Sequence, residues 1–196
     1  MNGNAEVVVI GGGNVAIDAA RVAKRSGAEQ VDLYSLETED ISPANKIEIE
    51  EAREDKVNLH FGFGLKQLIN NEHKQLEIIK CVSVYDEDKK FNPKYDDKDV
   101  TTVDADIVIF AVGQSVNWGN LIDNIDIGLR QNKLPMADDL TYQTKVKDIF
   151  VGGDVYSGPK FVIDAIAEGH EASESLHRFV RNAHMTIGRN RRKFIW

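Results

Sequence analysis

The chain has 196 residues, of which 42% are hydrophobic and 29% are charged, a composition typical of one ordinary globular domain or of two small ones. Its formal net charge of −8 argues against a nucleic-acid or anionic-membrane partner, because binding to phosphate needs a basic surface. The one cysteine, Cys81, excludes an internal disulfide, a CxxC pair and a four-thiolate iron–sulfur site within these residues. No apolar run approaches the roughly 18 residues of a membrane-spanning helix. We therefore expect a cytoplasmic protein with no membrane association.

The first 35 residues predict a strand, a turn, a helix and a second strand. Residues 5–10 (AEVVVI) form an apolar, β-branched run typical of a buried parallel strand. Three glycines follow, and then apolar residues recur at helical spacing until Gly27, which is a helix stop signal. Residues 30–35 (QVDLYS) predict the second strand. This order is typical of the opening of a dinucleotide-binding fold.

The remaining elements predict an α/β fold with a Rossmann-like domain and a partial second domain. A helix beginning near Pro43 and a third strand at residues 57–63 are expected, followed by three short antiparallel strands separated by charged turns. The charged stretch around residues 86–99 is interpreted as a solvated hairpin end. Residues 105–113 predict another buried strand. Residues 148–154 predict a strand ending in Gly-Gly-Asp, before a long amphipathic helix. We expect a mostly parallel sheet with helices on both faces and an antiparallel β-meander crossover.

The glycine-rich turn matches the pattern G-x-G-x-x-A and predicts a dinucleotide site. Gly11 permits the tight turn, Gly13 lets a pyrophosphate approach the backbone, and Ala16 lets the helix pack closely on the strand. Asn14 and Val15 begin the helix, whose free N–H groups and partial positive charge suit phosphate. A tight turn without a ligand is the alternative interpretation.

The end of the second strand indicates which nucleotide is bound. A carboxylate there hydrogen-bonds the ribose of NAD, whereas arginines accommodate the 2′-phosphate of NADP. The chain offers Ser35 and Glu37 and no arginine close by, so NADH is favoured over NADPH. Asp32 is nearer to the usual spacing but lies early in the strand. An ordinary surface carboxylate is the alternative interpretation of Glu37.

Three segments together resemble the glutamate synthase small (beta) subunit and, more broadly, the pyridine nucleotide–disulfide oxidoreductase superfamily. They are VVVIGGGNVAIDAARVAKRSGA, DIVIFAVGQ and IFVGGDVYSGPKFVIDAIAEGHEA, and the resemblance covers nearly the whole chain. In that family a domain that binds NAD(P)H is inserted into one that binds FAD. The resemblance implies that residues 1–114 are the NAD(P)-binding domain and residues 115–196 the C-terminal portion of the FAD-binding domain.

The resemblance also implies further cofactor contacts. Asp154, which follows Gly153, would lie at the ribityl chain of FAD. The backbone of Phe161 and Val162 would face the pyrimidine edge of the flavin. The nicotinamide side would be lined by Gly113 and Gln114.

Three departures from the family pattern matter: two make the chain look like a fragment, and the third argues against NADPH use. The glycine-rich unit that opens the FAD domain and the iron–sulfur cysteines are missing, and Ser35 and Leu36 stand where an arginine pair usually serves NADPH. The expected function is that of an NAD(P)H-binding fragment of an enzyme that passes hydride from NAD(P)H to FAD. FAD would belong to the full-length parent and be absent from this chain, which alone would be inactive. Its expected partner is the missing N-terminal FAD/iron–sulfur portion or a separate subunit.

Two other functions are possible from the sequence. The first is a stand-alone NAD(P)-binding module without catalysis. The second is a free-standing dehydrogenase, which would need a substrate-side acid or base, yet no convincing His–Asp or Tyr–Lys arrangement is present. We predict no catalytic side chain, because the flavin would carry the chemistry, and no metal site, because the five histidines are scattered.

Overall fold

The computed structural model describes residues 5–70 and 74–190. The chain divides into two compact units, Met1–Gly113 and Gln114–Trp196. This division lies one residue before the predicted boundary between residues 114 and 115. The cofactor assigned to each unit stays a prediction.

The first unit contains nine regular strands and helices among its described residues, besides a short 3-10 turn at Glu39–Ile41. In chain order they are β1 (Glu6–Ile10), α1 (Asn14–Arg25), β2 (Gln30–Ser35), α2 (Lys46–Glu54), β3 (Asn58–Phe61), β4 (Phe63–Asn70), β5 (Lys74–Tyr85), β6 (Phe91–Ala105) and β7 (Ile107–Phe110). Four strands form a parallel sheet in the order β3-β2-β1-β7, and β4, β5 and β6 form an antiparallel sheet. The predicted α/β class and the antiparallel crossover are confirmed.

The two faces of the parallel sheet are covered differently. On one face Val7, Val9 and Leu33 pack with the apolar stripes of α1 and α2. On the other face Val8 and Tyr34 pack with residues of the antiparallel sheet. The prediction of helices on both faces of this sheet is therefore wrong, because the meander itself buries the second face. Successive strand residues point to opposite faces, so both layers are specified by one alternating register.

The charged stretch after β5 is more regular than predicted. The turn is confined to residues 86–90, where the Asp86 carboxylate accepts hydrogen bonds from the backbone N–H groups of Asp88 and Lys90. From Phe91 onward the chain pairs with β5, and Tyr95 lies opposite Cys81. Charged side chains can occupy a strand whose faces are in contact with water, so charge alone did not mark the end of the hairpin. The other predicted charged turn, at residues 70–74, lies largely outside the described residues.

The second unit has little regular structure besides helices α3 (Asp154–Ser157) and α4 (Val162–Val180). The predicted strand at residues 148–154 is wrong: within it only Phe150 forms a bridge, to Gln143. A strand needs a partner along several residues, and an apolar run alone does not supply one. The side of α4 that faces inward places Phe179 against Phe150, with ring centroids 5.7 Å apart. Among the described helices none is both long and apolar enough to cross a membrane.

Candidate functional site

The first glycine of the turn is required by the packing of the protein itself. Gly11 follows β1 directly, and its N–H donates to the Tyr34 carbonyl oxygen at 3.0 Å. Its φ of +145° lies in a region that other residues rarely adopt. A Cβ at this position would lie 2.3 Å from the Ala111 carbonyl oxygen and 3.2 Å from the Cβ of Ala16. Gly11 and the fully buried Ala16 therefore allow β1, β7 and α1 to converge.

The second glycine brings the turn against the end of β2. A Cβ on Gly12 would lie 2.2 Å from Ser35 Oγ and 2.8 Å from Glu37 Oε2. Gly12 occupies a variable position of the motif, so pattern matching missed its role. The run of three glycines was the signal that could have indicated this role. The motif accepts any residue between its first two glycines, so a glycine at that position suggests a constraint of its own.

The third glycine is needed neither for conformation nor for packing. Gly13 has a φ of −90°, which any residue can adopt, and no atom of the described residues lies within 4 Å of where its Cβ would be. The backbone here is open to an approaching group, and that is the space which the pyrophosphate of a dinucleotide requires. The turn therefore fits the predicted cofactor.

The beginning of α1 provides the electrostatic part of the site. The helix starts at Asn14 with Gly13 as its N-cap, without a side-chain cap and without an acidic residue in the first turn. The Gly13 carbonyl oxygen accepts from the backbone N–H groups of Ala16 and Ile17, at 2.9 and 3.2 Å. The positive end of the helix dipole is thus directed at the turn, where Val15 is exposed. This arrangement favours an anion.

A loop before α2 braces the turn, and the sequence interpretation missed it. The Ser42 hydroxyl donates to the Gly12 carbonyl oxygen at 3.3 Å. The Asn45 N–H donates to Asn14 Oδ1 at 2.8 Å, and Asn45 Oδ1 caps α2 by accepting from the Ile47 N–H. Serine and asparagine ahead of a helix are a capping signal that could have located the loop, although not its contact with the turn.

Arg21 fixes α2 beside α1. Its guanidinium pairs with Glu48, Glu51 and Asp55, and Arg25 also pairs with Asp55. Hydrogen bonds from Arg21 and then Arg25 hold the pKa of Asp55 below its usual value. Asp18 lies three residues before Arg21 on α1, a spacing at which the two side chains could pair. Arg21 instead pairs with the acidic residues of and next to α2. The cluster has a structural role.

Glu37, and not Asp32, lies at the turn. The fully buried Ser35 hydroxyl donates to Glu37 Oε2 at 2.9 Å. Asp32 instead points to the other face of the sheet, where its Oδ1 lies 2.7 Å from His60 Nε2 and its Oδ2 accepts from Gln30. Burial raises the pKa of Asp32, but hydrogen bonds from His60 and Gln30 outweigh that effect and leave the pKa below its usual value. Asp32 is thus engaged by its neighbours in the sheet.

The second unit holds a separate cleft of about 450 Å³. This volume lies within the range of small-molecule sites. The lining residues are polar and apolar in mixture: Gln114, Ser115, Val116, Asn132, Leu134, Asp154, Val155, Ser157, Gly158 and Pro159. The Gly-Gly-Asp turn at its edge is attached to α4, since the Gly153 N–H donates to Glu168 Oε2 at 2.7 Å. Gly153 has a φ of +69°, which favours glycine.

The other predicted flavin contacts are arranged differently. Phe161 and Val162 are exposed at the start of α4 and do not line the cleft. The Phe161 N–H donates to Asp164 Oδ2 at 3.3 Å, a contact within the first turn of the helix. Gly113, with a φ of +94°, ends the first unit, and Gln114 lines the cleft of the second. The predicted residues therefore form two groups, one in each unit.

The chain is similar to several curated oxidoreductase subunits. It is 31% identical to the NADP(+)-dependent formate dehydrogenase subunit beta of Moorella thermoacetica, over 89% of this chain and 25% of that protein. It is 29% identical to the NADPH-Fe(3+) oxidoreductase subunit beta of Geobacter sulfurreducens (89% and 30%) and 31% identical to the glutamate synthase [NADPH] small chain of Halomonas elongata (87% and 37%). The chain thus spans between a quarter and two fifths of the length of these relatives.

Solved structures show the same fold. Thioredoxin reductase of Lactococcus lactis superposes with a TM-score of 0.72 at 19% identity, over 91% of this chain and 54% of that one. Thioredoxin reductase of T. acidophilum gives a TM-score of 0.70 at 20% identity, over 91% and 53%. The family described as pyridine nucleotide-disulphide oxidoreductase matches residues 2–169. The chain belongs to the pyridine nucleotide-disulphide oxidoreductase family.

Proposed function

We propose that this chain binds NADH through the glycine-rich turn of its first unit. The observation that carries the proposal is the open space at Gly13, next to a helix start that no side chain caps. Glu37, which follows β2, lies over Gly12 of this turn, where its carboxylate can accept hydrogen bonds from the hydroxyls of a ribose. The segment Ser35-Leu36-Glu37-Thr38 offers no cation for a 2′-phosphate, so NADH is preferred to NADPH.

Each part of the turn has its own task in this proposal. The N–H groups at the start of α1 hold the pyrophosphate, and the helix dipole stabilises its charge. Ser42 and Asn45 keep the turn in shape through the Gly12 carbonyl oxygen and the Asn14 side chain. Glu37 orients the adenosine ribose. None of these groups exchanges a proton with the nucleotide.

We further propose that the chain serves a flavin-dependent oxidoreductase of the glutamate synthase small-subunit type. When bound, NADH supplies a hydride that FAD accepts, so the protein provides alignment. Asp154 and Gln114, which line the cleft of the second unit, would contact FAD. The mixed polar and apolar lining suits part of a flavin, which has an apolar ring and a hydroxylated chain. Further chain or a partner subunit would complete the FAD site.

The test of nucleotide binding is Gly13→Asp. The carboxylate would occupy the open space and repel the pyrophosphate, so we expect at least a hundredfold loss of NADH affinity by calorimetry. Gly169→Asp is the matched control, because Gly169 also has no atom within 4 Å of its Cβ position but lies on α4. Circular dichroism checks that both variants fold. Equal NADH affinity in the two variants would contradict the proposal.

The flavin proposal has a separate test. The 196-residue chain is mixed with excess FAD, desalted and examined for flavin absorbance and for dye reduction by NADH. We expect neither, because these 196 residues contain one turn with the pattern G-x-G-x-x-A and that turn is assigned to NADH. A stoichiometric yellow protein that reduces dyes would assign the turn to the flavin instead. If the chain forms no flavoenzyme with any flavin-binding partner encoded beside it, a binding module without catalysis becomes the better interpretation.

A further inference from the structure

The contact between Ser35 and Glu37 carries an inference about how the nucleotide is selected. Ser35 is the last residue of β2 and is fully buried, and its hydroxyl donates to Glu37 Oε2 at 2.9 Å. We infer that Ser35 is a positioning residue, which aims the Glu37 carboxylate at the adenosine ribose and thereby selects NADH against NADPH. This inference rests on the proposed function.

Glu37 is held both at its backbone and at its side chain. The Glu37 carbonyl oxygen accepts from the Gly62 N–H at 3.0 Å, which fixes the backbone. Ser35 engages one oxygen of the side chain and leaves the other for a ligand. A glutamate side chain loses rotamer freedom when it binds a ligand, and a carboxylate that is already oriented loses less.

Gly12 makes this arrangement part of the turn. Any side chain at position 12 would overlap Ser35 Oγ and Glu37 Oε2, at 2.2 and 2.8 Å from its Cβ. The carboxylate therefore lies directly over the peptide that precedes Gly13. A ligand seated on the turn meets Glu37 at a fixed place.

Selection then has an attractive and a repulsive part. An oriented carboxylate accepts hydrogen bonds from the two ribose hydroxyls of NADH, and it faces the 2′-phosphate of NADPH with like charge. Both parts depend on where the carboxylate is, so both weaken when Ser35 no longer holds it.

The experiment compares the dissociation constants of NADH and NADPH for the 196-residue chain and its variants. Ser35→Ala should weaken NADH binding about tenfold, the scale of one hydrogen bond to a charged group. The same variant should bind NADPH no more weakly than the unsubstituted chain, because the like-charge repulsion decreases as well. In the Glu37→Ala background the same substitution should change neither nucleotide, because Ser35 acts through Glu37. Ser173→Ala, an exposed serine of α4, controls for the loss of a hydroxyl.

The outcomes separate this inference from the proposed function. If the unsubstituted chain binds neither nucleotide, both fail. If it prefers NADH and Ser35→Ala weakens both nucleotides equally, or still weakens NADH without Glu37, only the inference fails. Should Ser35→Ala not fold, Ser35→Cys keeps nearly the same volume with a weaker donor, and a smaller loss confined to NADH is expected.

Discussion

The two units hold their glycine turns in different ways. In the first unit the closest contacts of the turn are with backbone: Gly11 bonds to β2 and packs on Ala111, while side chains of Ser42 and Asn14 only add to these contacts. Apolar residues are buried on both faces of the sheet. In the second unit the Gly-Gly-Asp turn is bonded to the Glu168 side chain, and its backbone contact is looser, with the Glu168 carbonyl oxygen 3.2 Å from the Cβ position of Gly152. Helix α4 leaves Val162, Ile166 and Val180 exposed. A turn fixed by backbone is broken by adding atoms, whereas a turn held by a side chain is broken by removing them.

The largest effect should come from Gly11→Ala. The added Cβ meets a backbone carbonyl at 2.3 Å and the φ of +145° is strained for alanine, so we expect a loss of about 4 kcal/mol in unfolding free energy. Hydrogen exchange of β1 and β2 during urea denaturation measures it. Neither tryptophan of the sequence falls within residues 1–113, so tryptophan fluorescence does not report the first unit.

Two further glycine-to-alanine variants provide a comparison for the stability loss expected of Gly11→Ala. Gly12→Ala should cost about 2 kcal/mol, because the atoms it meets belong to side chains, whose displacement costs less than that of backbone. Gly169→Ala, within α4, should instead add up to about 1 kcal/mol through higher helix propensity. If Gly11→Ala were as stable as the unsubstituted chain, the first turn would not be fixed by its backbone.

A smaller effect is expected from Glu168→Ala. The Gly153 N–H would lose its acceptor and Lys160 its ion-pair partner, at a cost of about 2 kcal/mol confined to the second unit. Tryptophan fluorescence during denaturation and hydrogen exchange at residues 152–155 detect it. Glu174→Ala, on the exposed part of α4, is the matched control. If Glu168→Ala also increased the hydrogen exchange of β1, the effect would not be confined to the second unit and the comparison of the two turns would be wrong.

The smallest effect concerns acid stability and Asp32. Its pKa is lowered in the folded chain, so its stabilisation is present above the unfolded pKa of about 3.9 and disappears as the pH falls through the folded pKa. Asp32→Asn should lower the unfolding free energy by about 1 kcal/mol at pH 7, and the difference should vanish in strong acid. Urea denaturation from pH 7 downward measures it, with Asp40→Asn as control for the lost charge. If the difference in unfolding free energy between the unsubstituted chain and Asp32→Asn grew on acidification, the pKa of Asp32 would be raised in the folded chain and the prediction would be wrong.

Features of the fold that depend on neighbouring residues could be predicted from the sequence, whereas contacts between residues far apart in the chain could not. The turn at residues 11–16 and the strand–turn–helix–strand unit around it follow from local patterns, and both α1 and the meander were predicted. The order β3-β2-β1-β7 in the parallel sheet was not predicted. The contacts of Gly12 with Glu37 and of Asn14 with Asn45 join positions 25 and 31 residues apart, and no local pattern encodes them. The predicted strand at residues 148–154 failed for the same reason, since strand pairing is decided by distant residues.

The packing of Leu36 limits how cofactor choice could be redesigned. A Cβ on Gly64 would lie 2.7 Å from Leu36 Cδ2 and 3.0 Å from Tyr95 Cε1, so Leu36 fills the space above Gly64. Because alternate residues of a strand face opposite ways, Leu36 points away from the glycine turn that Ser35 touches. Arginines introduced at positions 35 and 36 would therefore have to replace the contact of Ser35 with Glu37 and the packing of Leu36 on Gly64. An engineer seeking NADPH use should place the cation at exposed Thr38, leaving the strand intact.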